Sequence, residues 1–200
     1  GLGGRRGYQQ RGRGLGGSSA INAMLYHRGH PSDYDDWAAR GCEGWDWASV
    51  LPLFRRAERN HRPGIDPGLH GFDGPLHVGD SLSDNPINAA VLAACEACQV
   101  PAVEDLNALP GEGASRFQLT QFRGGPRHGS RCSTAFAYLD PARGRPNLEI
   151  VTGAEAERLT FEDGRCTGAV VRRGRRREAM RARREVIVSA GAFGTPKLLQ

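Results

Sequence analysis

Two hundred residues, 38% of them hydrophobic and 24% charged, describe a folded chain with room for one large domain or two small ones, and exclude a disordered or fibrous polymer. The formal net charge of +5 rests almost wholly on arginine, with Lys197 the sole lysine, so the skew toward Arg, Ala, Gly and Pro reads as GC-rich coding and not as a nucleic-acid footprint. Twenty-eight glycines point to many turns and close backbone approaches, as in a mixed α/β chain with a cofactor cleft.

In chain order, the first chemical feature is Arg11-Gly12-Arg13-Gly14-Leu15-Gly16-Gly17-Ser18-Ser19-Ala20-Ile21-Asn22. Gly14, Gly16 and Gly17 can take positive φ or let an anion approach the backbone, while Ser18 and Ser19 offer an N-cap and hydroxyl donors to a helix expected over residues 18–26. This is not the dinucleotide fingerprint: Ser19 and Ala20 stand where a third spaced glycine belongs, and no hydrophobic strand precedes it. Lys197 is followed by Leu198, which excludes a P-loop, and no serine lies in a Gly-x-Ser-x-Gly elbow.

A short helix is expected over 33–39, with Ser32 as cap and Gly41 as terminator. A longer one starts at Asp46, where Trp47, Val50, Leu51, Phe54 and Ala57 form an apolar stripe and Pro52 falls within the first turns. Trp37, Trp45, Trp47 and Phe54 read as core anchors. His27 and His30 fall short of a metal site by ligand count. Residues 60–75, rich in Gly, Pro, His and Asp, read as an irregular surface excursion or lid.

A strand at 76–78 leads to Asp84 and Pro86, the cap and early-turn pair of a helix over 87–99. Cys95 and Cys98 lie late in that helix, where packing explains them better than redox chemistry. With Cys42, Cys132 and Cys166 the cysteines are odd in number, and reduced thiols are expected. Residues 117–122 alternate as a strand, and 130–139 read as a capped helix. Beyond Asn147 the pattern turns to β: a strand at 148–151, then 158–161 pairing with 168–171 across Asp163-Gly164, with the next bend at Gly174. The apolar run 185–188 reads as a buried strand entering a glycine turn, with Thr195 as cap and Pro196 at the first helical position, the geometry in which α/β proteins hold a dinucleotide.

The run Arg172-Arg173-Gly174-Arg175-Arg176-Arg177, continued by Arg181, Arg183 and Arg184, reads as a solvated hairpin. A module binding nucleic acid or another polyanion is the alternative, though no aromatic residue is interleaved to stack on bases. No apolar stretch approaches membrane-spanning length, so a soluble chain is expected, and the bacterial-like composition suggests the cytoplasm.

Arg13-Gly14-Leu15-Gly16-Gly17-Ser18-Ser19-Ala20-Ile21-Asn22, continued through Tyr26, Arg28-Gly29-His30-Pro31, Asp33-Tyr34-Asp35 and Trp37, resembles the first signature of the glucose-methanol-choline family of flavin oxidoreductases. Arg131-Cys132-Ser133-Thr134-Ala135, Arg145-Pro146-Asn147-Leu148 and Ser189-Ala190-Gly191-Ala192-Phe193-Gly194-Thr195-Pro196 are similar to further blocks of that family, so the resemblance extends over essentially the whole chain. It implies a mixed α/β fold, an incomplete FAD-binding Rossmann-like domain with part of a substrate domain. Residues 1–75 would be an FAD-binding segment with pyrophosphate loop and lid, 76–146 part of the substrate domain, and 147–200 the returning FAD-binding segment.

By the same resemblance, Gly14, Gly16, Gly17 and Ser18 line the FAD pyrophosphate, Ser19 belongs with them, and Asn22, Ala23, Met24 and Leu25 lie near the flavin. The backbone of Ala156 meets the adenine. Ile21 stands where covalently linked members carry a histidine, so a non-covalent FAD is implied. The implied activity is oxidation of a small alcohol, choline or another, with the hydroxyl proton removed by a base and hydride passing from carbon to flavin N5. No catalytic residue is assigned, because the family's amino-terminal glycine fingerprint and its active-site histidine region do not occur in these residues. A chain running from Gly1 to Gln200 without an initiator Met is expected to be an interior piece, inactive alone. A remnant that keeps the family's packing without its ligand is a further alternative, and neither the particular alcohol nor the electron acceptor is fixed by these residues.

Overall fold

The computed structural model describes residues 3–108 and 112–200. The chain divides into two compact units, Gly1–Arg145 and Pro146–Gln200, of mixed α/β structure.

In the first unit the helix expected over 18–26 is a short 3-10 turn, Gly17–Ala20, capped by Gly16 with φ 85. Met24 takes φ 63, and the next two residues form strand β1 (Leu25–Tyr26). Pairing of β1 with β4 (Gln118–Leu119) overrides helix propensity here. Helix α1 (Pro31–Ala39) begins earlier than its sequence suggests, because His30 and not Ser32 is the cap. Its Nδ1 accepts from the Ser32 N–H, and Asp33 accepts from the His30 N–H at 2.8 Å. Helix α2 (Trp47–Ala57) starts at Asp46 as expected, with Asp46 Oδ1 accepting the Ser49 N–H at 3.0 Å. Pro52 lies in the interior of α2, beyond its first turn, so the Ala48 carbonyl forgoes a helical partner.

The two helices meet around Tyr34, whose ring centroid lies 5.3 Å from Trp37, 5.5 Å from Trp47 and 5.8 Å from Phe54. Tyr34 is the buried anchor. Trp37 and Trp45 stay 47% and 53% exposed, so they are not the core anchors their size suggests.

Strands β2 (Glu58–Asn60) and β3 (Leu76–Asp80) pair in parallel, β3 pairs antiparallel with β4, and the sheet order is β1-β4-β3-β2. Val78 is fully buried at its centre. In β4 the buried side chain is Gln118, while Phe117 is exposed, and the strand is shorter than its 117–122 pattern. Helix α3 (Pro86–Ala97) is capped by Asn85, not Asp84, with Asn85 Oδ1 accepting the Ile87 N–H at 3.0 Å. Residues expected as one helix over 130–139 are π-helical at Ala135–Leu139 and run into α4 (Asp140–Ala142), with Cys132, Ala135 and Ala137 buried. All five cysteines are free thiols.

The second unit is an antiparallel meander of β5 (Ala154–Glu162), β6 (Arg165–Arg173) and β7 (Arg176–Arg181), followed by α5 (Gly191–Leu199). Asp163 at φ 49 and Gly164 at φ 76 form the two-residue turn that an Asp-Gly pair favours. The expected pairing of these two segments forms, with Arg158 opposite Val170 and Thr160 opposite Gly168, but a register irregularity after Thr160 puts Phe161 opposite Cys166, outside 168–171. Arg172 and Arg177 both bond Glu157, at 2.9 and 2.6 Å, and Arg181 bonds Glu162 at 2.9 Å, so β5 partly neutralises the arginine run.

Neither 148–151 nor 185–188 is a strand, because among the described residues no neighbouring strand pairs with them; Ile187 is 79% exposed. Thr195 and Pro196 lie inside α5 instead of opening it, and Thr195 Oγ1 accepts the N–H of the cap residue Ala190 at 3.1 Å. Among the described residues no helix is long and apolar enough to cross a membrane.

Candidate functional site

The glycine run of the first unit folds into a closed loop with two unlike faces. Gly12 donates its N–H to Ser18 Oγ at 3.1 Å, and Gly17 donates to the Gly14 carbonyl at 3.0 Å. A Cβ on Gly12 would lie 2.0 Å from the Gly17 oxygen, so only glycine lets the loop close. Gly16 packs against the segment 131–135, where an added Cβ would lie 3.2 Å from both the nitrogen and the Cβ of Ala135. At Gly14 and Gly17, by contrast, an added Cβ would meet nothing within 4 Å. The loop therefore has one packed face and one open face.

The serines do not cap a helix as expected. Ser18 is exposed and its Oγ accepts the Gly12 N–H, which closes the loop and leaves the hydroxyl proton free to donate. Ser19 Oγ donates to the Gly16 carbonyl at 2.5 Å and accepts the Thr134 N–H at 3.0 Å. Thr134 Oγ1 in turn reaches the Gly16 carbonyl at 3.3 Å. The four residues of the 3-10 turn carry too little aligned dipole to attract an anion by themselves. The open loop face and the Ser18 hydroxyl are what a ligand can use.

Beyond the turn, Asn22 Oδ1 accepts the Met24 N–H at 3.0 Å and Arg131 Nη1 at 2.6 Å, while Arg131 Nη1 also reaches the Ser19 carbonyl at 3.2 Å. The Met24 carbonyl accepts the Thr120 N–H at 2.8 Å, and the Thr120 carbonyl accepts the Cys132 N–H at 2.8 Å. Ala23 and Leu25 are exposed beside them. Of the sequence-predicted residues, Gly16, Ser19 and Asn22 meet Ala135, Thr134 and Arg131, while Gly14, Gly17, Ser18, Ala23, Met24 and Leu25 lie along the same stretch of chain. Ala156 belongs to the second unit, exposed on β5 opposite Val171, next to a register irregularity. Arg131 and Thr134 have no role legible in the sequence. They stand in a recognisable block, but their partners lie 109 and 115 residues away.

A second polar constellation lies inside the first unit. Glu58, fully buried, bonds Arg28 at 2.5 Å and His70 Nδ1 at 2.8 Å, and His70 Nε2 meets Asp105 at 2.8 Å. Asn60 and Gln118 exchange side-chain bonds of 3.1 and 3.0 Å, and Asn107 Oδ1 accepts the Arg28 N–H at 2.7 Å. Residues 60–75 are therefore no mere surface excursion, since His70 pins them to β2. Burial opposes a charge on His70, yet bonds to the carboxylates of Asp105 and Glu58 outweigh it and hold its pKa above the ordinary value. Asp105 is likewise raised by burial, but bonds from His70 and the Asn107 N–H bring it below the ordinary carboxylate range. Burial pushes the Tyr26 hydroxyl up to about 12, against the opposing charge of Arg28. Glu58 and His70 are spent on internal partners, so the network fastens the fold and leaves little to react with a substrate.

The model of the GMC oxidoreductase family matches residues 2–200, and the chain belongs to that family. Oxygen-dependent choline dehydrogenase of Sinorhizobium medicae is 44% identical over 198 residues, which are 99% of this chain and 35% of that protein. The enzyme of the same name from Burkholderia pseudomallei is 46% identical over 193 residues, 95% of this chain and 33% of that protein. The chain thus spans about a third of the length of these relatives. Among solved structures, pyridoxine 4-oxidase from Mesorbium loti superposes with a TM-score of 0.82 at 34% identity, covering 94% of this chain and 36% of that one. An FAD-dependent oxidoreductase from Chaetomium thermophilum gives 0.83 at 28% identity, covering 92% and 33%.

Proposed function

We propose that this chain holds the diphosphate of FAD and frames its flavin within an oxidoreductase acting on a CH–OH donor, choline or a related small alcohol. The observation that carries the reading is the two-faced glycine loop: Gly12 and Gly16 are packed, Gly14 and Gly17 face open space, and Ser18 keeps a hydroxyl proton to donate. Those features fit a diphosphate, which needs close backbone approach and donors without bulky side chains. The names of the relatives support the substrate class, since choline dehydrogenases and a pyridoxine 4-oxidase are among them.

In this reading Gly14, Gly16, Gly17, Ser18 and Ser19 form the diphosphate side, Asn22 to Leu25 the flavin side, and the Ala156 backbone an adenine contact. Ile21 offers no imidazole for a covalent link, so the cofactor is held without one. FAD supplies the hydride acceptor when bound, and these residues bind and orient it. We assign 1–75 and 147–200 to the FAD-binding domain and 76–146 to the substrate domain; the division after Arg145 supports the second border. Five free thiols support a reducing, cytoplasmic location.

The test is purification of the full-length protein that contains this chain. Flavin released intact by denaturation, and reduced by choline or another alcohol before release, supports the reading. Full-length protein that neither retains nor takes up FAD overturns it.

A further inference from the structure

We propose that Arg131 is a positioning residue that fixes which end of the Asn22 amide faces the cofactor, so that Asn22 presents its NH2 group as a hydrogen-bond donor to the flavin ring. The proposal rests on the FAD reading above and goes beyond it by giving the amide a direction and a residue that sets it. Two donors, the Met24 N–H and the Arg131 guanidinium, converge on one atom of Asn22, at 3.0 and 2.6 Å. Only a carbonyl oxygen can accept both. Turning the amide over would press its NH2 against two other donors and lose both bonds.

With the oxygen engaged, the NH2 has no partner among the described residues, and Asn22 is exposed five residues beyond Gly17. The turn that carries it is also held. Met24 keeps a left-handed φ of 63, and its carbonyl is tied to Thr120 by a 2.8 Å bond. Arg131 is delivered from behind by its bridge to Gln121. Among the described residues no carboxylate pairs with Arg131, so its charge acts on the Asn22 and Ser19 oxygens it touches. A cation on the carbonyl polarises the amide and makes its N–H groups stronger donors.

The experiment compares the full-length holoenzyme with Arg131→Met, Arg131→Lys and Asn22→Asp, reading the midpoint potential of the bound flavin and the FAD dissociation constant. Arg131→Met is expected to weaken FAD binding about tenfold, the worth of one charge-assisted hydrogen bond, and to shift the midpoint to more negative values. Arg131→Lys, whose ammonium can reach the same oxygen, is expected to recover most of both losses. Asn22→Asp replaces the donor by an oxygen and is expected to shift the midpoint in the same negative direction while keeping a partner for Arg131. A wild-type midpoint in Arg131→Met overturns the proposal. Where that variant does not fold, the exposed Asn22→Asp decides, since an unchanged midpoint there overturns it equally. Wild-type protein that binds no FAD refutes the cofactor reading before any variant is compared.

Discussion

His70 is held between Glu58 and Asp105 at 2.8 Å on each side, and that placement makes the fold pH-dependent in a definite direction. A group whose pKa is raised by folding stabilises the fold below its unfolded value and loses that contribution as pH climbs through the raised one. His70 is such a group, with an ordinary value of 6.5, so stability falls as pH rises beyond it. His61 and His77 act oppositely. Partial burial holds both below 6.5, aided by Arg123 and Arg59 at His61 and by His61 and Arg59 at His77, and their contribution is lost as pH falls through the lowered values. The expected outcome is a melting temperature that declines on the alkaline side in the wild type and much less in His70→Gln. Alkaline limbs of equal slope in the two proteins contradict the assignment. None of this was legible in the sequence, where Glu58, His70 and Asp105 are scattered acids and a histidine in apparent loop. The positive φ of Gly14, Gly16 and Gly17, at 151, 85 and 52, was legible, because glycine is selected by local backbone geometry.

At the scale of elements, local chemistry was readable where it acts locally and misleading where a partner decides. The Asp163-Gly164 hairpin and the Asp46 cap were visible because the turn and the cap are built from adjacent residues. The 18–26 helix failed because β4 captures Leu25 and Tyr26, and the 185–188 strand failed because an apolar run forms a strand only beside another strand. The start of α3 offers a direct check on cap identity. Asn85→Ala is expected to destabilise the protein by about 1 kcal/mol, the usual worth of an N-cap, while Asp84→Ala is expected to be nearly neutral. Chemical denaturation of both variants measures this, and the reverse order would return the cap to Asp84.

For the whole molecule, family membership was legible because its signature blocks run from Arg13 to Pro196, each short enough to recognise without a structure. The bracing of the glycine loop by Arg131 and Thr134 was hidden, since it joins residues more than a hundred positions apart. The central claim, that the open face of the loop receives a diphosphate, is tested most directly by the FAD dissociation constant of the full-length protein carrying Gly17→Ala, set beside Gly64→Ala as a control. Both glycines have positive φ, 52 and 73, and at both an added Cβ meets nothing within 4 Å, so the two changes carry a similar backbone cost. Only the Cβ at residue 17 enters the proposed diphosphate site. A loss of FAD affinity of about tenfold or more in Gly17→Ala, with Gly64→Ala near wild type, is the predicted result; a wild-type dissociation constant in Gly17→Ala would contradict it.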